Sequence, residues 1–175
     1  MIAQPGAGCR SHVIAGSPIG PLTLVAEEGR LAGLYMAVAG HEPDAVTLGA
    51  PARGDPDPVL AAAVSQLREY FAGTLTRFDL PLALAGTDFQ RAVWAALQAI
   101  PYGARISYGE LARRIGLPSA SRAVGLANGR NPVSIVVPCH RVVGADGRLT
   151  GYGGGLDRKR FLLELEQRVS GQILA

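Results

Sequence analysis

In the first half of this 175-residue chain, apolar residues fall in short runs separated by polar or glycine-containing turns. The runs Pro21–Val25 and Leu31–Tyr35 flank Glu27–Arg30, a pattern that predicts a β-hairpin. Residues 40–56 are rich in proline, glycine and aspartate and predict a loop. Residues 78–84 predict a further strand.

A single helix is predicted within this strand-rich half. Asp57 is a favourable N-cap for Pro58 at the first helical position, and Gly73 is placed to end the helix after Ala72. With Ala85–Gly86 as a linker, residues 1–86 are expected to form a supporting domain. We assign none of its residues to chemistry.

After residue 86 the apolar positions take a helical spacing. Thr87 and Gln90 form a capping-box pattern ahead of an amphipathic helix that Pro101 ends. A last helix is predicted from Asp157, with Glu166 near its end. Residues 87–175 are therefore expected to form a mostly helical domain, and the fold class is α/β (α+β) in two parts.

Two short helices in this second half predict a helix-turn-helix. Ser107 and Glu110 repeat the capping-box pattern, and Gly116 ends the first helix. Ser119 is expected to cap the second helix, over about residues 120–128. The second helix of such a motif often docks on DNA, although pairs of short helices are common in proteins that bind no DNA.

Charge divides the chain at the same place. Residues 1–87 carry 5 basic and 8 acidic residues, whereas residues 88–175 carry 12 basic and 6 acidic ones. This favours a polyanionic partner for the second half, and a solvated basic surface without a partner fits the charge equally well. The chain has no signal-peptide pattern at its start and no apolar stretch of membrane-spanning length, so we expect a cytoplasmic protein with no membrane contact.

The most informative position is Cys139, which is followed directly by His140 and lies between apolar, β-branched segments. A thiol becomes a strong nucleophile as thiolate, and a neighbouring base promotes that form. A free cysteine is more often structural and buried. The polar residues Asn131 and Arg141 close by in the sequence, and the later Glu166, favour a reactive site. The other cysteine, Cys9, makes no disulfide framework.

Pro138–Val142 (PCHRV), with Arg122–Gly125 and Asn131–Pro132 before it and Gly154–Leu156 after it, closely resembles the O6-alkylguanine-DNA alkyltransferases. The resemblance covers residues 87–168, whereas the first half matches only in general layout. It implies DNA repair by one suicidal transfer of an alkyl group from O6-alkylguanine, and also from O4-alkylthymine, to the cysteine. The implied partner is double-stranded DNA bearing the lesion, with no cofactor, metal or obligate protein partner.

The resemblance also implies the catalytic roles. Cys139 would accept the alkyl group, and His140 would draw off the thiol proton through a water molecule. Glu166 would orient that histidine, as the third group of a triad does. Tyr108 would protonate the departing guanine, and Asn131 would hold the turn before the active-site segment.

For DNA binding, the resemblance implies that the second helix enters the minor groove and that the damaged base is flipped out. Arg122 would fill the gap that the base leaves. Ala123, Gly125 and Ala127 are the small residues expected to let this helix approach the groove.

The substrate pocket is implied to come from the loop at 151–155. Tyr152 would lie against the base, and the backbone of Val142 and Gly153 would hydrogen-bond its edge, with Gly154 beside them. Many relatives carry a small side chain other than glycine at position 153. We expect this departure to loosen the loop and leave recognition intact.

Three alternatives are open at this stage. A non-catalytic alkyltransferase-like protein would bind lesions without reacting, but that class lacks the cysteine found here. A cysteine hydrolase would need direct contact between Cys139 and His140, which is awkward if the two lie in an extended segment. A zinc site at Cys9, His12 and His41 has irregular spacing and one ligand too few, so we assign no metal.

Overall fold

A four-stranded sheet forms the first half of the protein, with strand order β3-β2-β1-β4. β1 (Arg10–Ala15), β2 (Leu22–Glu27) and β3 (Arg30–Met36) form an antiparallel meander, and β4 (Ala50–Pro51) pairs parallel to β1. The computed structural model describes residues 9–38, 43–54 and 57–173. The predicted hairpin is confirmed, and its turn contains Gly29 at φ +73°, a conformation that favours glycine.

Two predictions for this half are wrong. The segment predicted as a loop contains the short helix α1 (Ala45–Leu48) and strand β4, while residues 39–42 and 55–56 lie outside the described residues. Residues 78–84 form no strand and contribute a single bridge, between Leu31 and Leu82. An apolar run becomes a strand only where a neighbouring edge offers continuous pairing, and here the contact is limited to one position.

Helix α2 (Pro58–Ala72) has the predicted bounds and caps. The Asp57 side chain accepts a hydrogen bond from the Val59 amide at 2.9 Å, and Gly73 ends the helix in the left-handed conformation. The helix packs its buried face, which includes Leu60 and Tyr70, against the sheet.

The second half is mostly helical, which confirms the α/β fold class. It also holds one short parallel strand pair, β5 with β6. Its elements are α3 (Asp88–Gln98), β5 (Ile106–Ser107), α4 (Tyr108–Arg114), α5 (Ser121–Gly129), β6 (Val142–Val143) and α6 (Leu156–Ile173).

The predicted helix caps are met to different degrees. Thr87 and Gln90 form the complete capping box of α3. Ser107 accepts from the Glu110 amide at 3.1 Å, but the Glu110 carboxylate pairs with arginines on α4. The prediction for Ser119 is wrong, because α5 begins after Ala120 and has no side-chain cap.

The two halves share one continuous apolar core. Leu34 of β3 and Leu60 of α2 belong to the same buried cluster as Trp94 of α3 and Leu111 of α4. Main-chain hydrogen bonds also join Leu34 to the segment that leads to the cysteine. The domain boundary after residue 86 stays a prediction. In the part of the chain that is described, no helix combines the length and apolarity that a membrane crossing requires.

Candidate active site

Cys139 begins a single 3₁₀ turn that continues to Arg141 and leads into β6. The extended conformation expected for Cys139 and His140 is therefore wrong, and with it the geometric objection to a direct Cys-His contact. In a 3₁₀ turn, successive side chains leave the axis about a third of a turn apart. Cys139 accordingly lines a cleft, while His140 and Arg141 both hydrogen-bond to Glu166.

The Glu166 carboxylate, on α6, is fully buried and accepts five hydrogen bonds. Its Oε1 lies 2.8 Å from His140 Nε2, 2.8 Å from the Tyr70 hydroxyl and 3.0 Å from Arg141 Nη2. Its Oε2 accepts from Arg141 Nε at 2.9 Å and from the Gly103 amide at 3.0 Å. This arrangement fixes both oxygens of the carboxylate.

These contacts determine the protonation of His140. Burial opposes ionisation of Glu166, but the hydrogen bonds and positive charge of His140 and Arg141 prevail and lower the carboxyl pKa to about 2. A carboxylate only accepts, so His140 Nε2 carries a proton and Nδ1 holds the lone pair. Burial lowers the pKa of His140, so it is neutral near pH 7 and can act as a base. Its Nδ1 is buried without a partner among the described residues.

Cys139 is 4% exposed and is a thiol at rest. Burial raises its pKa, and the side chains of Asn131 and Ser134 and the charge of Lys159 act in the opposite direction without reversing the shift. A thiol of this kind needs a base before it can attack, and the next residue in the chain, His140, is neutral.

The cleft in front of Cys139 has a volume of about 350 Å³ and is lined from both halves of the protein. The first half contributes Tyr35, Met36 and Val38 at the end of β3, which sequence reasoning did not assign to the site. The second half contributes the end of α5 and the residues that follow it, from Asn128 to Pro132, and the glycine-rich loop Gly151–Gly154.

Tyr108 stands beside this cleft at the start of α4. Its hydroxyl donates to the Thr150 carbonyl at 3.2 Å, next to Gly151 of the cleft wall. Its ring packs against α5, where a Cβ added to Gly125 would lie 3.7 Å from two ring carbons. Burial raises the pKa of the Tyr108 phenol, so it is protonated and available as a donor.

Lys159 is the chain's one lysine, and it is fully buried on α6 beside these residues. Its Nζ donates to the same Thr150 carbonyl at 2.8 Å and lies 5.9 Å from the centre of the Tyr108 ring. Burial lowers its pKa to about 8, and the neighbouring Cys139 acts in the opposite direction. Sequence reasoning missed this buried ammonium near the thiol.

Asn131 holds the turn between α5 and the active-site segment. Its Oδ1 accepts from the Val133 amide at 3.0 Å, and its Nδ2 donates to the Val137 carbonyl at 2.8 Å. These bonds fix the segment that carries Cys139.

Both halves of the chain match one family of known proteins. Residues 88–168 match the DNA-binding domain of 6-O-methylguanine DNA methyltransferase, and residues 12–84 match its ribonuclease-like domain. The chain belongs to this family. The resemblance inferred from the PCHRV segment is thereby confirmed, and it extends to the first half of the chain as well.

Individual family members are similar over most of their length. The methylated-DNA–protein-cysteine methyltransferase of Mycobacterium bovis is 57% identical over 152 residues, which is 86% of this chain and 88% of the relative. The crystal structure of the Mycobacterium tuberculosis O6-methylguanine methyltransferase gives a TM-score of 0.82 at 54% identity, over 91% of this chain and 93% of the other. The M. tuberculosis protein solved in complex with DNA gives a TM-score of 0.79 at 53% identity, over 91% of this chain and 94% of the other.

In this methyltransferase, α4 and α5 form the predicted helix pair, and α5 has a clear outer face. Arg122, Leu126 and Arg130 recur every four residues and are exposed, and Ala123 is exposed beside them. Leu126, which is 63% exposed, was not singled out from the sequence.

The assignment of Ala127 to the DNA-facing surface is wrong. Its side chain is 3% exposed, and its carbonyl accepts from the Trp94 indole at 2.9 Å. It belongs to the inner face of α5 with Val124 and Asn128, and this i, i+3, i+4 spacing was the available signal.

The pocket residues divide between the cleft wall and its support. Tyr152, Gly153 and Gly154 line the cleft. Val142 is buried in β6, paired with Ile106, and does not line the cleft. Its backbone contact with a base stays a prediction.

The first half contributes more than support, contrary to our expectation. Tyr70 of α2 hydrogen-bonds to Glu166, 96 residues further along the chain. Arg158 of α6 donates to the carbonyls of Ile19 and Ala37 in the first half and of Gly154 in the loop. No local motif marks such contacts. Of the three zinc candidates, His41 lies outside the described residues.

Proposed function

We propose that this protein repairs DNA by transferring the alkyl group of O6-alkylguanine to Cys139, once per molecule. The observation that carries the proposal is the buried constellation itself. A protonated thiol is followed directly in the chain by a neutral histidine, and that histidine is held by an ionised carboxylate. These are the parts of a nucleophile, a base and an orienting group.

In the proposed reaction, the Cys139 sulfur attacks the alkyl carbon as the carbon–O6 bond breaks. A C–S bond forms, and the bonding pair leaves with guanine. The thiol proton passes through a water molecule to His140 Nδ1, and Tyr108 gives a proton to a ring nitrogen of the departing guanine. The proton on His140 then restores the Tyr108 phenol through solvent. A thioether has no hydrolytic route comparable to that of a thioester, so the protein reacts once.

The proposed DNA contact uses the outer face of α5. Arg122, Ala123 and Arg130 are exposed there, and phosphate contacts from arginines supply affinity without sequence preference. A base within a duplex cannot reach the cleft, so the lesion is flipped out and Arg122 fills the gap. The same pocket is proposed to accept O4-alkylthymine.

A non-catalytic lesion-binding protein is the alternative function. It is disfavoured because Cys139 is present and lines the cleft. A cytoplasmic location and the lack of an obligate protein partner are part of the proposal and rest on the sequence alone.

The test is the intact mass of the protein after incubation with excess duplex carrying O6-methylguanine. We expect a gain of one methyl group, confined by peptide mapping to the Cys139 peptide. Cys139→Ser should bind the duplex and gain no mass. Cys9→Ser is the matched control, because Cys9 is exposed and has no proposed role. This variant should react like the unaltered protein.

Binding of the duplex with no mass change in the unaltered protein would contradict alkyl transfer and favour the lesion-binding alternative. Methylation on Cys9 would contradict the assignment of Cys139 as the acceptor.

A further inference from the structure

We propose that Tyr70, in the first half of the chain, is a positioning residue for the alkyl transfer. Its hydroxyl holds the Glu166 carboxylate and limits how strongly that carboxylate attracts the proton of His140. The inference rests on the proposed role of His140 as the base. It assigns to the sheet-bearing half a direct effect on the pH range in which the thiol reacts.

The contact leaves one possible direction for the hydrogen bond. Tyr70 is fully buried on α2, and its hydroxyl lies 2.8 Å from Glu166 Oε1. An ionised carboxylate has no proton to give, so the phenol donates. Burial, together with the adjacent negative charge, raises the pKa of Tyr70 well above its ordinary value, so the phenol keeps this proton across the working range.

The effect of Tyr70 on His140 arises because both side chains bind the same oxygen of Glu166. Tyr70 and His140 both bind Oε1 at 2.8 Å. Each donor takes up part of the negative charge on that oxygen, so the phenol weakens the attraction of Oε1 for the imidazolium. Without the phenol, Oε1 would stabilise protonated His140 more strongly. The pKa of His140 would rise, and a larger fraction would be unable to accept the thiol proton near neutrality.

Other charged or titratable groups also face this pair. They are Arg141 and Cys139 on the 3₁₀ turn, Lys159 on α6, Tyr102 before β5, and Tyr152 in the loop Gly151–Gly154. The charge of Arg168 acts on Tyr102. All of them are retained when only the Tyr70 hydroxyl is removed. A shift in the pH dependence therefore reports on that hydroxyl.

Tyr102, whose ring packs edge-on against that of Tyr70, provides a matched control. Its ring centre lies 6.0 Å from that of Tyr70 and 5.6 Å from Arg141 Cζ. Its hydroxyl is buried and has no partner among the residues that the structure describes. Tyr102→Phe thus removes an equivalent group from the adjacent ring without touching the carboxylate.

The experiment measures the single-turnover rate of methyl transfer against pH for the unaltered protein, Tyr70→Phe and Tyr102→Phe. The rate rises with pH as His140 loses its proton. In Tyr70→Phe we expect this rising limb to move to higher pH by roughly 0.5–1 unit, the equivalent of one hydrogen bond. Below the limb the rate should fall by about three- to tenfold, with recovery at alkaline pH. The Tyr102→Phe limb should stay in place.

Each other outcome has a distinct meaning. If the unaltered protein transfers no methyl group, the proposed function fails. If the unaltered protein does transfer the methyl group, two results for Tyr70→Phe overturn the inference. One is a rate that rises over the same pH range as in the unaltered protein, and the other is a lower maximal rate without a shift in pH. An equal shift in Tyr102→Phe would also overturn it, by assigning the effect to the aromatic packing.

Two further measurements cover the case in which Tyr70→Phe does not fold. The imidazole resonances of His140 give its pKa directly, without DNA, and they should titrate at higher pH in any folded preparation of Tyr70→Phe. Site-specific 3-fluorotyrosine at position 70 keeps the ring and hydroxyl and is a stronger donor. It should move the rising limb to lower pH, and a limb that stays in place or moves upward would contradict the proposal.

Discussion

The two sides of Cys139 differ in how completely their polar groups are satisfied. Behind the thiol, the Glu166 carboxylate receives five hydrogen bonds from four residues. Towards the cleft, Asn128 Oδ1 and the Tyr152 hydroxyl are buried without partners among the described residues. Among the residues that the structure describes, Lys159 uses one of its three donors, towards Thr150.

The Glu166 side is organised before a substrate binds, whereas the cleft side can adapt to the substrate. The protonation of His140 has to be determined before a lesion arrives, and a fully bonded carboxylate does this at little reorganisation cost. In the proposed reaction the cleft side has to accept a base, and its walls are glycine-rich or supplied by the flexible Met36. Both sides draw on both halves of the chain, so neither half forms the site alone.

The largest effect is expected from a substitution that disrupts the hydrogen bonds of the Glu166 carboxylate. In Glu166→Gln, one terminal atom becomes an NH₂ group that faces donors, and the buried Arg141 loses its counter-charge. Removing one partner of a buried ion pair costs about 3–5 kcal/mol. Loss of the orienting group should lower the transfer rate on the order of 10²-fold or more. Chemical denaturation and single-turnover kinetics measure the two effects.

Glu164→Gln is the control, because Glu164 is exposed two residues earlier on the same helix. The pH dependence of stability provides a further check. The Glu166 pKa is lowered from 4.5 to about 2, so its ionisation stabilises the fold fully above pH 4.5. That stability is lost as pH falls towards 2. Because burial also lowers the pKa of His140, further loss begins below pH 6.5. Glu166→Gln should lack the part of the loss below pH 4.5 that Glu166 contributes, and an unchanged acid profile would contradict the ionised carboxylate.

The features that sequence predicted correctly are those determined locally. Asp57, Gly73 and Thr87 act on amides or carbonyls within a few residues, so their capping roles follow from the sequence itself. The PCHRV segment placed Cys139 and His140 next to each other, and the resemblance supplied Glu166.

The features that sequence missed depend on how distant elements dock. The Tyr70 contact with Glu166 requires α2 of the first half to pack beside α6, and nothing near Tyr70 in the sequence signals this. The same holds for the end of β3 in the cleft wall. Lys159 lies in a run of charged residues, which usually marks a solvated helix face, and the loop that crosses it decides its burial.

On the cleft side, Lys159→Met tests whether the buried ammonium supports the thiolate. We expect the rate of Cys139 alkylation by iodoacetamide near pH 7 to fall by about three- to tenfold, because a positive charge near the thiol is lost. Stability should be unchanged or higher, since an apolar side chain of similar length replaces a buried charge.

The neighbouring Arg160→Met is the control, because Arg160 is exposed on the same helix. Since burial lowers the pKa of Lys159 to about 8, the advantage of the unaltered protein should be greatest below pH 8 and shrink above it. A constant ratio across this range would exclude a charge effect.

The smallest effects are expected in the cleft loop, where two adjacent glycines differ. A Cβ added to Gly153 meets nothing within 4 Å, whereas one added to Gly154 would overlap Met36 Sδ and come within 2.9 Å of the Tyr152 ring. Gly153→Ala should change the transfer rate less than about twofold and raise stability by up to about 1 kcal/mol. Gly154→Ala should lower stability by about 1 kcal/mol, because Met36 can move aside, and Met36→Ala in that background should restore part of the loss. If Gly154→Ala instead cost as much as Glu166→Gln, the cleft wall would be as rigid as the carboxylate side, and the contrast between the two sides of Cys139 would not hold.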